Sequence, residues 1–186
     1  MQPIGPLMHE HRLIERMIAL MGRELERLDR DGEPDLRFID HSTDFFRYFA
    51  DACHHGKEDQ LLFPAALAKP DLEERYRKLT VRLQREHVYA RGLTLKLEDA
   101  SRRRRAGGGT ESVQAIRDAL HRIVRFYPRH IATEDKEYFH QVMDCFDQGE
   151  QQAMLREFDE VEKRVLHERY REMVEEHEGG HRGREP

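Results

Sequence analysis

The sequence predicts an all-α protein, an up-down-up-down four-helix bundle with one additional C-terminal helix. Charged residues make up 37% and hydrophobic residues 38% of the 186 positions, with no Trp, 12 Gly and 7 Pro, a balance that suits amphipathic helices. Apolar residues recur at steps of three and four, which is the helical period. Because the breaks between these segments are short, each helix should lie beside the next.

The first two helices are separated by the segment DRDGEPD. The first carries a stripe that consists of Leu7, His11, Ile14, Ile18, Met21, Leu25 and Leu28. Asp, Gly and Pro in this order end one helix and open another. The second helix is predicted from about Asp35 to Leu67, and it should end or bend near Pro64.

Three further helices follow. The third spans about residues 72–104, and AGGGTES separates it from a fourth that begins at Thr110, bends at Pro128 and ends near Phe146. After Gly149, a fifth helix is predicted from the spacing of Leu155, Phe158, Val161, Val165 and Met173. We therefore expect a bundle over residues 1–149, a helix over 150–178 that packs on the bundle or on a partner subunit, and a disordered tail over 179–186.

Charge and composition exclude several classes of function. The net charge of −5 implies no general attraction to nucleic acid or to an anionic membrane. The run of four arginines in SRRRRAGGG leads into glycines and is read as a solvated helix end. Two cysteines make no disulfide framework, and no signal peptide or apolar span is evident. We expect a cytoplasmic protein.

The 12 histidines are unusual, since they outnumber the 9 phenylalanines. An internal repeat distinguishes the histidines that have a counterpart in the other half of the chain from those that do not. With an offset of 76 residues, Glu10-His11 falls on Glu86-His87, and His54-x-x-x-Glu58-Asp59-x-x-x-Phe63 falls on His130-x-x-x-Glu134-Asp135-x-x-x-Phe139. The repeat predicts two helical hairpins related by an approximate twofold axis, each contributing the same groups to the core.

The histidines and glutamates that recur in both halves are His11, His54, Glu58, His87, His130 and Glu134. The remaining histidines lack such mates: His9 falls on Arg85, His41 on Arg117, and His55 has Ile131 as its mate. We therefore take the six recurring residues as the candidate site. His9, His41, His55, His121 and His140 are expected outside the ligand set, with His55 as a candidate hydrogen-bond donor to it.

The spacing of these residues points to metal chemistry. His and Glu four residues apart leave the same face of a helix, so they can share an ion. Imidazole and carboxylate together suit iron, zinc or manganese. Carboxylates opposed across a twofold axis can bridge two ions, so that His11 and His54 hold one ion, His87 and His130 the other, and Glu58 and Glu134 span both. A single His-x-x-x-Glu is more often a solvated pair, but surface pairs have no reason to repeat in register.

These motifs resemble the hemerythrin family, specifically the bacterial HHE cation-binding domains. The matching segments are LMHEHRLIERM, HHGKEDQLLFP, LQREHVYARGL and HIATEDKEYF, which touch all four bundle helices. The resemblance implies a non-haem di-iron centre, two irons joined by an oxo or hydroxo bridge, with the six residues at the ligand positions. It further implies reaction with dioxygen, nitric oxide or peroxide.

The sequence differs from the oxygen-carrying members of that family. Carriers have a fifth histidine one turn from the position that His87 matches, and Leu83 and Arg91 stand there instead. They also use an aspartate where Asp135 stands, whereas the repeat favours Glu134. The chain is more similar to members implicated in the repair of iron centres or in sensing iron and oxygen.

Two functions remain open at this stage. In the first, a di-iron protein binds, senses or reduces a small oxidant at an open iron position. In the second, the ions stabilise a helical scaffold or iron store, or a factor that repairs iron centres through a protein partner. A homodimer is one expected assembly. A helical interaction module without metal is the remaining alternative.

Overall fold

The computed structural model describes residues 2–163 and 167–182, and these residues form helices and no strand. Four long helices form the bundle and two shorter ones follow. They are α1 (Ile4–Asp31), α2 (36–67), α3 (Glu74–Arg105), α4 (110–143), α5 (Gln148–Glu162) and α6 (His167–Arg182). The predicted all-α bundle with a C-terminal helical extension is confirmed.

The connection between α1 and α2 forms as its residues predict. Gly32 adopts a positive φ of 78°, which glycine accepts at no steric cost, and its N–H donates to the carbonyl of Leu28. The Asp35 side chain then accepts from the backbone N–H groups of Arg37 and Phe38 and caps α2. This short connection places α1 and α2 side by side.

Two of the long helices contain wide, π-helical turns. Helix α2 is α-helical over Leu36–Asp44 and Phe63–Leu67 and π-helical over Phe45–His55 and Glu58–Leu62. Helix α4 is α-helical over Thr110–Thr133 and Phe139–Met143 and π-helical over Glu134–Tyr138. Pro64 and Pro128, at which we predicted bends, both lie inside these continuous helices.

The apolar core has two parts, separated by a layer of buried polar residues. Along α1, Ile4 and Leu7 belong to one apolar cluster, and the buried apolar residues from Leu13 onwards belong to the other. Buried Glu10 and His11 lie between them. The polar layer that holds the candidate site is therefore enclosed by apolar packing on both sides.

The predicted single helix over 150–178 is two helices in the structure. Helix α5 buries Met154 and Phe158 in one apolar cluster, whereas α6 buries Val174 in the other. The first of these helices ends at Glu162 and the second begins at His167, and each packs on its own part of the bundle. Val165, part of the predicted stripe, lies outside the described residues, as do 183–186 of the predicted tail, while residues 179–182 belong to α6.

Candidate metal centre

The six residues predicted as ligands come together in the polar layer. Helix α1 supplies His11, α2 supplies His54 and Glu58, α3 supplies His87, and α4 supplies His130 and Glu134. Each of them is at most 2% exposed. A layer of four imidazoles and two carboxylates at this depth is costly unless the groups satisfy one another or a bound ion.

Both glutamates lie between imidazoles of the two repeats. Glu134 Oε2 is 3.2 Å from His11 Nε2, and its Oε1 is 3.3 Å from His130 Nε2 and 3.5 Å from His87 Nε2. Glu58 Oε2 is 3.6 Å from His54 Nε2 and 3.4 Å from His87 Nε2. Each carboxylate thus faces ligand candidates from both halves of the chain.

A second carboxylate holds each histidine from behind. The Nδ1 contacts are His11 to Asp135 at 2.7 Å, and His54 to Glu10, His87 to Asp59 and His130 to Glu86, each at 2.9 Å. A carboxylate accepts the Nδ1 proton and leaves the lone pair of a neutral imidazole on Nε2. All four Nε2 atoms therefore point towards the glutamates.

The site fits a cation because its inward-facing atoms lack other partners. In the described part of the chain, the buried side-chain nitrogen and oxygen atoms without a hydrogen bond are Nε2 of the four histidines, both oxygens of Glu58 and Glu134, and both ring nitrogens of His55. Imidazole lone pairs that face carboxylate oxygens repel one another unless a proton or a cation lies between them. Metal ions are the partners that this donor set prefers.

The arrangement matches a known family over most of its length. The profile of the hemerythrin HHE cation binding domain matches residues 2–142. The chain belongs to this family. No significant match was found among curated proteins or among solved structures. Membership of the HHE family and the buried His/Glu cluster together indicate a metal-binding protein.

The matched segment of this HHE domain contains all six predicted ligands, whereas α5 and α6 lie beyond it. Two groups of side chains are close enough to hold an ion. They are His11, His54, Glu58 and Glu134, and His55, His87 and His130. The second group includes a histidine that the repeat had left outside the site.

Phenylalanines shield the HHE centre, and the wide turns place them. The N–H of Phe63 donates to the carbonyl of Glu58, and that of Phe139 to the carbonyl of Glu134, five residues back in each case. In an α-helix, the side chains of two residues five positions apart point in directions that differ by roughly 140° about the helix axis. The extra residue in a π turn reduces that angle, and Phe63 stacks on His87 at 5.6 Å.

Phe139 stacks in the same way on His11, at 5.7 Å between ring centroids. The wide turn, the predicted ligand glutamate and the shielding ring therefore recur together in both repeats. Their effect is to cover two of the imidazoles with apolar surface, which excludes water from the layer.

Among the histidines predicted to lie outside the ligand set, His9, His121 and His140 are exposed, and His41 Nδ1 lies 2.9 Å from His177 Nε2 of α6. His55 is different, since it is 1% exposed and stacks on His87 with 4.0 Å between ring centroids. Its ring is the fifth imidazole at this HHE centre.

The positions at which carriers have their fifth histidine hold other residues with other roles. Leu83 is buried in an apolar cluster. Arg91 Nη1 lies 2.7 Å from Asp51 Oδ1 and 3.4 Å from Asp59 Oδ2. A fifth imidazole does lie at the centre, but it belongs to His55 of α2, which stacks on His87.

The carboxylates behind the histidines have no role that the sequence predicts. A signal for them was present, because Glu10 and Glu86 are repeat mates, as are Asp59 and Asp135. The repeat shows that these positions matter, but it does not show that Asp59 of α2 reaches across to His87 of α3. That pairing depends on which helices face each other.

A buried lysine links the centre to the C-terminal extension. Lys57 is fully buried, and its Nζ lies 2.5 Å from Glu10 Oε1 and 2.5 Å from Glu162 Oε1 of α5. Glu10 in turn holds His54 through its other oxygen. The chain of contacts from Glu162 through Lys57 and Glu10 ends at a predicted ligand.

Protons substitute for cations in the metal-free HHE domain. Burial lowers the pKa of His11, but the hydrogen bond to Asp135 and the negative charge of Glu134 outweigh it and raise the pKa to about 9. The hydrogen bond to Asp59 and the negative charge of Glu134 likewise overcome burial at His87 and raise its pKa to about 10. Burial and the nearby charge of His11 lower the pKa of His54 to about 4.

The pKa values of the two glutamates shift in opposite directions in the metal-free protein. Burial and the charge of Glu134 raise the pKa of Glu58 well above its usual range. Burial also tends to raise the pKa of Glu134, but the positive charge of His130 and the close contacts with His11 and His87 hold it well below its usual range. Without metal, the site therefore favours the charged form of Glu134 over that of Glu58.

Metal binding should consequently release protons. His11 and His87 are protonated at pH 7 in the metal-free protein and must lose those protons to bind an ion, so we expect these two residues alone to release about two protons per chain. Metal affinity should therefore rise between pH 7 and about 10. Calorimetric titration in buffers of different protonation enthalpy measures this release, and a value near zero at pH 7 would contradict it.

The stability of the metal-free protein should depend on pH in the opposite direction. Both histidine pKa values exceed the ordinary value of 6.5, so the stabilisation that they provide is complete below pH 6.5 and is lost as the pH passes 9 to 10. Thermal unfolding with and without metal separates the two effects, since the loaded protein lacks these protons.

Proposed function

We propose that this HHE domain holds two iron ions and binds, senses or reduces a small oxidant at an open iron position. The observation that supports the proposal is the placement of Glu134, whose two oxygens face His11 on one side and His87 and His130 on the other. A carboxylate so placed can serve two ions at once. His11 and His54 would hold one iron, and His87 and His130 the other.

The protein contributes geometry and exclusion of water, while bound ferrous iron would supply the electrons for chemistry with dioxygen, nitric oxide or peroxide. Four carboxylates fix the histidine rings through their Nδ1 atoms. Apolar clusters on both sides and the rings of Phe63 and Phe139 exclude water. Four protein ligands per ion would leave coordination positions for an external molecule.

Iron identity is part of the proposal. Nitrogen and oxygen donors in this ratio also accept zinc or manganese, and the family resemblance favours iron. Both cysteines are free thiols, which suits the reducing cytoplasm that we propose as the location.

Protein grown with iron should contain two irons per chain and show an oxo-to-iron absorption band that shifts with azide. Two irons without any response to azide would favour the alternative, a metal-stabilised scaffold, iron store or repair factor. Protein without iron would contradict both. His11→Ala should lower the iron content, whereas His9→Ala, an exposed position two residues away on α1, should leave it unchanged.

A further inference from the structure

A pocket of about 220 Å³ leads from the surface to the candidate centre. Its lining includes Phe46, Asp51, His55, Arg91, Leu95 and Tyr127. Leu95 is 58% exposed at the mouth, whereas His55 is 1% exposed at the inner end. The Asp51–Arg91 ion pair, at 2.7 Å, forms the polar part of the wall.

His55 separates this pocket from the predicted ligands. Its ring stacks on His87 at 4.0 Å and meets His130 edge-on at 5.8 Å, while Tyr127 lies parallel at 6.4 Å. A molecule that enters the pocket is therefore one imidazole ring away from His87 and His130.

Both ring nitrogens of His55 are buried without a hydrogen-bond partner. The nearest carboxylate oxygen, Asp51 Oδ1, is 3.5 Å from Nδ1, which is longer than a hydrogen bond. The stacking also argues against His55 as a regular ligand, because parallel rings cannot both aim their lone pairs at one ion. A buried imidazole with an unmet donor and acceptor suits a small hydrogen-bonding molecule beside it.

The internal repeat shows that this group belongs to one half of the chain. The mate of His55 is Ile131, an apolar residue that is 2% exposed. The imidazole of His55 therefore offers hydrogen bonds beside His87 and His130. The matching position of the other repeat holds Ile131, which offers none.

We propose that this pocket is the entrance by which a small oxidant-like molecule, diatomic or triatomic and neutral or singly charged, reaches the centre, and that His55 hydrogen-bonds to it. The proposal rests on the di-iron function argued above. A second pocket reaches His130 from the α3–α4 side. There, however, Nδ1 of His130 is already occupied by Glu86, so that route ends at a completed hydrogen bond.

The entrance can be tested by narrowing its mouth. Leu95→Trp should slow azide association with the diferric protein about tenfold in stopped-flow absorbance, because entry then requires side-chain movement. Val88→Trp is the matched control, since Val88 is 63% exposed on the same helix and does not line this pocket. Its association rate should equal that of the unmodified protein.

The role of His55 needs a separate variant. His55→Ile copies the residue of the other repeat and should speed azide dissociation about tenfold through loss of one hydrogen bond, with the iron content retained. In metal-free protein, carbethoxylation of His55 by diethyl pyrocarbonate, mapped by mass spectrometry, should be slowed by Leu95→Trp and not by Val88→Trp. This readout does not depend on iron.

The outcomes separate this inference from the proposed function. Unmodified protein that takes up no iron would overturn both. Iron-loaded protein in which Leu95→Trp and Val88→Trp bind azide at equal rates would overturn the entrance alone. Slowing by Tyr89→Trp, which lines the α3–α4 pocket, without slowing by Leu95→Trp would place the entrance there. Unchanged dissociation from His55→Ile would overturn the role of His55.

Discussion

Glu134→Ala should remove both ions of the proposed pair together, whereas alanine at His130 should weaken one ion position. Glu134 faces His11, His87 and His130 across distances of 3.2 to 3.5 Å, and two cations held close together repel unless carboxylates offset their charge. We expect at least about tenfold greater loss of metal affinity than for His130→Ala. Iron analysis with competitive chelator titration measures it.

Glu137→Ala provides the control, because Glu137 is an exposed carboxylate in the same wide turn. It should keep the full iron content. Glu58→Ala should behave as Glu134→Ala does, since Glu58 faces histidines of both repeats. Equal iron losses for Glu134→Ala and His130→Ala would favour two independent single-ion sites.

Lys57→Met should lower the free energy of unfolding by about 3 kcal/mol or more. Lys57 is fully buried and contacts Glu10, which is 2% exposed. Removing the cation takes away the charged partner of that buried carboxylate, and breaking a buried ion pair in this way typically costs about 3 to 5 kcal/mol. Because Glu10 also holds His54, the same change should weaken metal binding. Urea unfolding of metal-free protein gives the first effect, and metal titration gives the second.

Lys69→Met is a closely matched control. Lys69 also pairs with a glutamate of α5, Glu150, and its Nζ lies over the ring of Phe146 at 4.7 Å, as that of Lys57 lies over Phe158 at 5.6 Å. Its side chain is 18% exposed, and Glu150 is 44% exposed, so its loss should cost less than about 1 kcal/mol. Similar losses for both variants would show that burial at Lys57 is not decisive.

Much of the fold could be predicted because it depends on local chemistry. Apolar periodicity predicts the four long helices, and Gly32 and Asp35 predict the first turn, since backbone freedom and capping act within a few residues. The C-terminal extension was less predictable. Helix α5 ends at Glu162 and packs into one apolar cluster, whereas α6 packs into the other. Both clusters are formed mainly by residues of the bundle, so neither is visible in the sequence of the extension.

The candidate site, like the fold, has features that the sequence predicts and features that depend on tertiary packing. By itself, the sequence determined that four histidines and two glutamates recur in register, because a repeat is visible without coordinates. Tertiary structure alone decided that Asp59 of α2 holds His87 of α3, that Glu162 of α5 reaches Lys57, and that His55 stacks on His87 despite having Ile131 as its mate. The physical reason is that these contacts join residues of different helices. The rotation of one helix relative to another is set by packing and by the wide turns in α2 and α4, and neither the packing nor the wide turns can be recognised from a periodic pattern in the sequence.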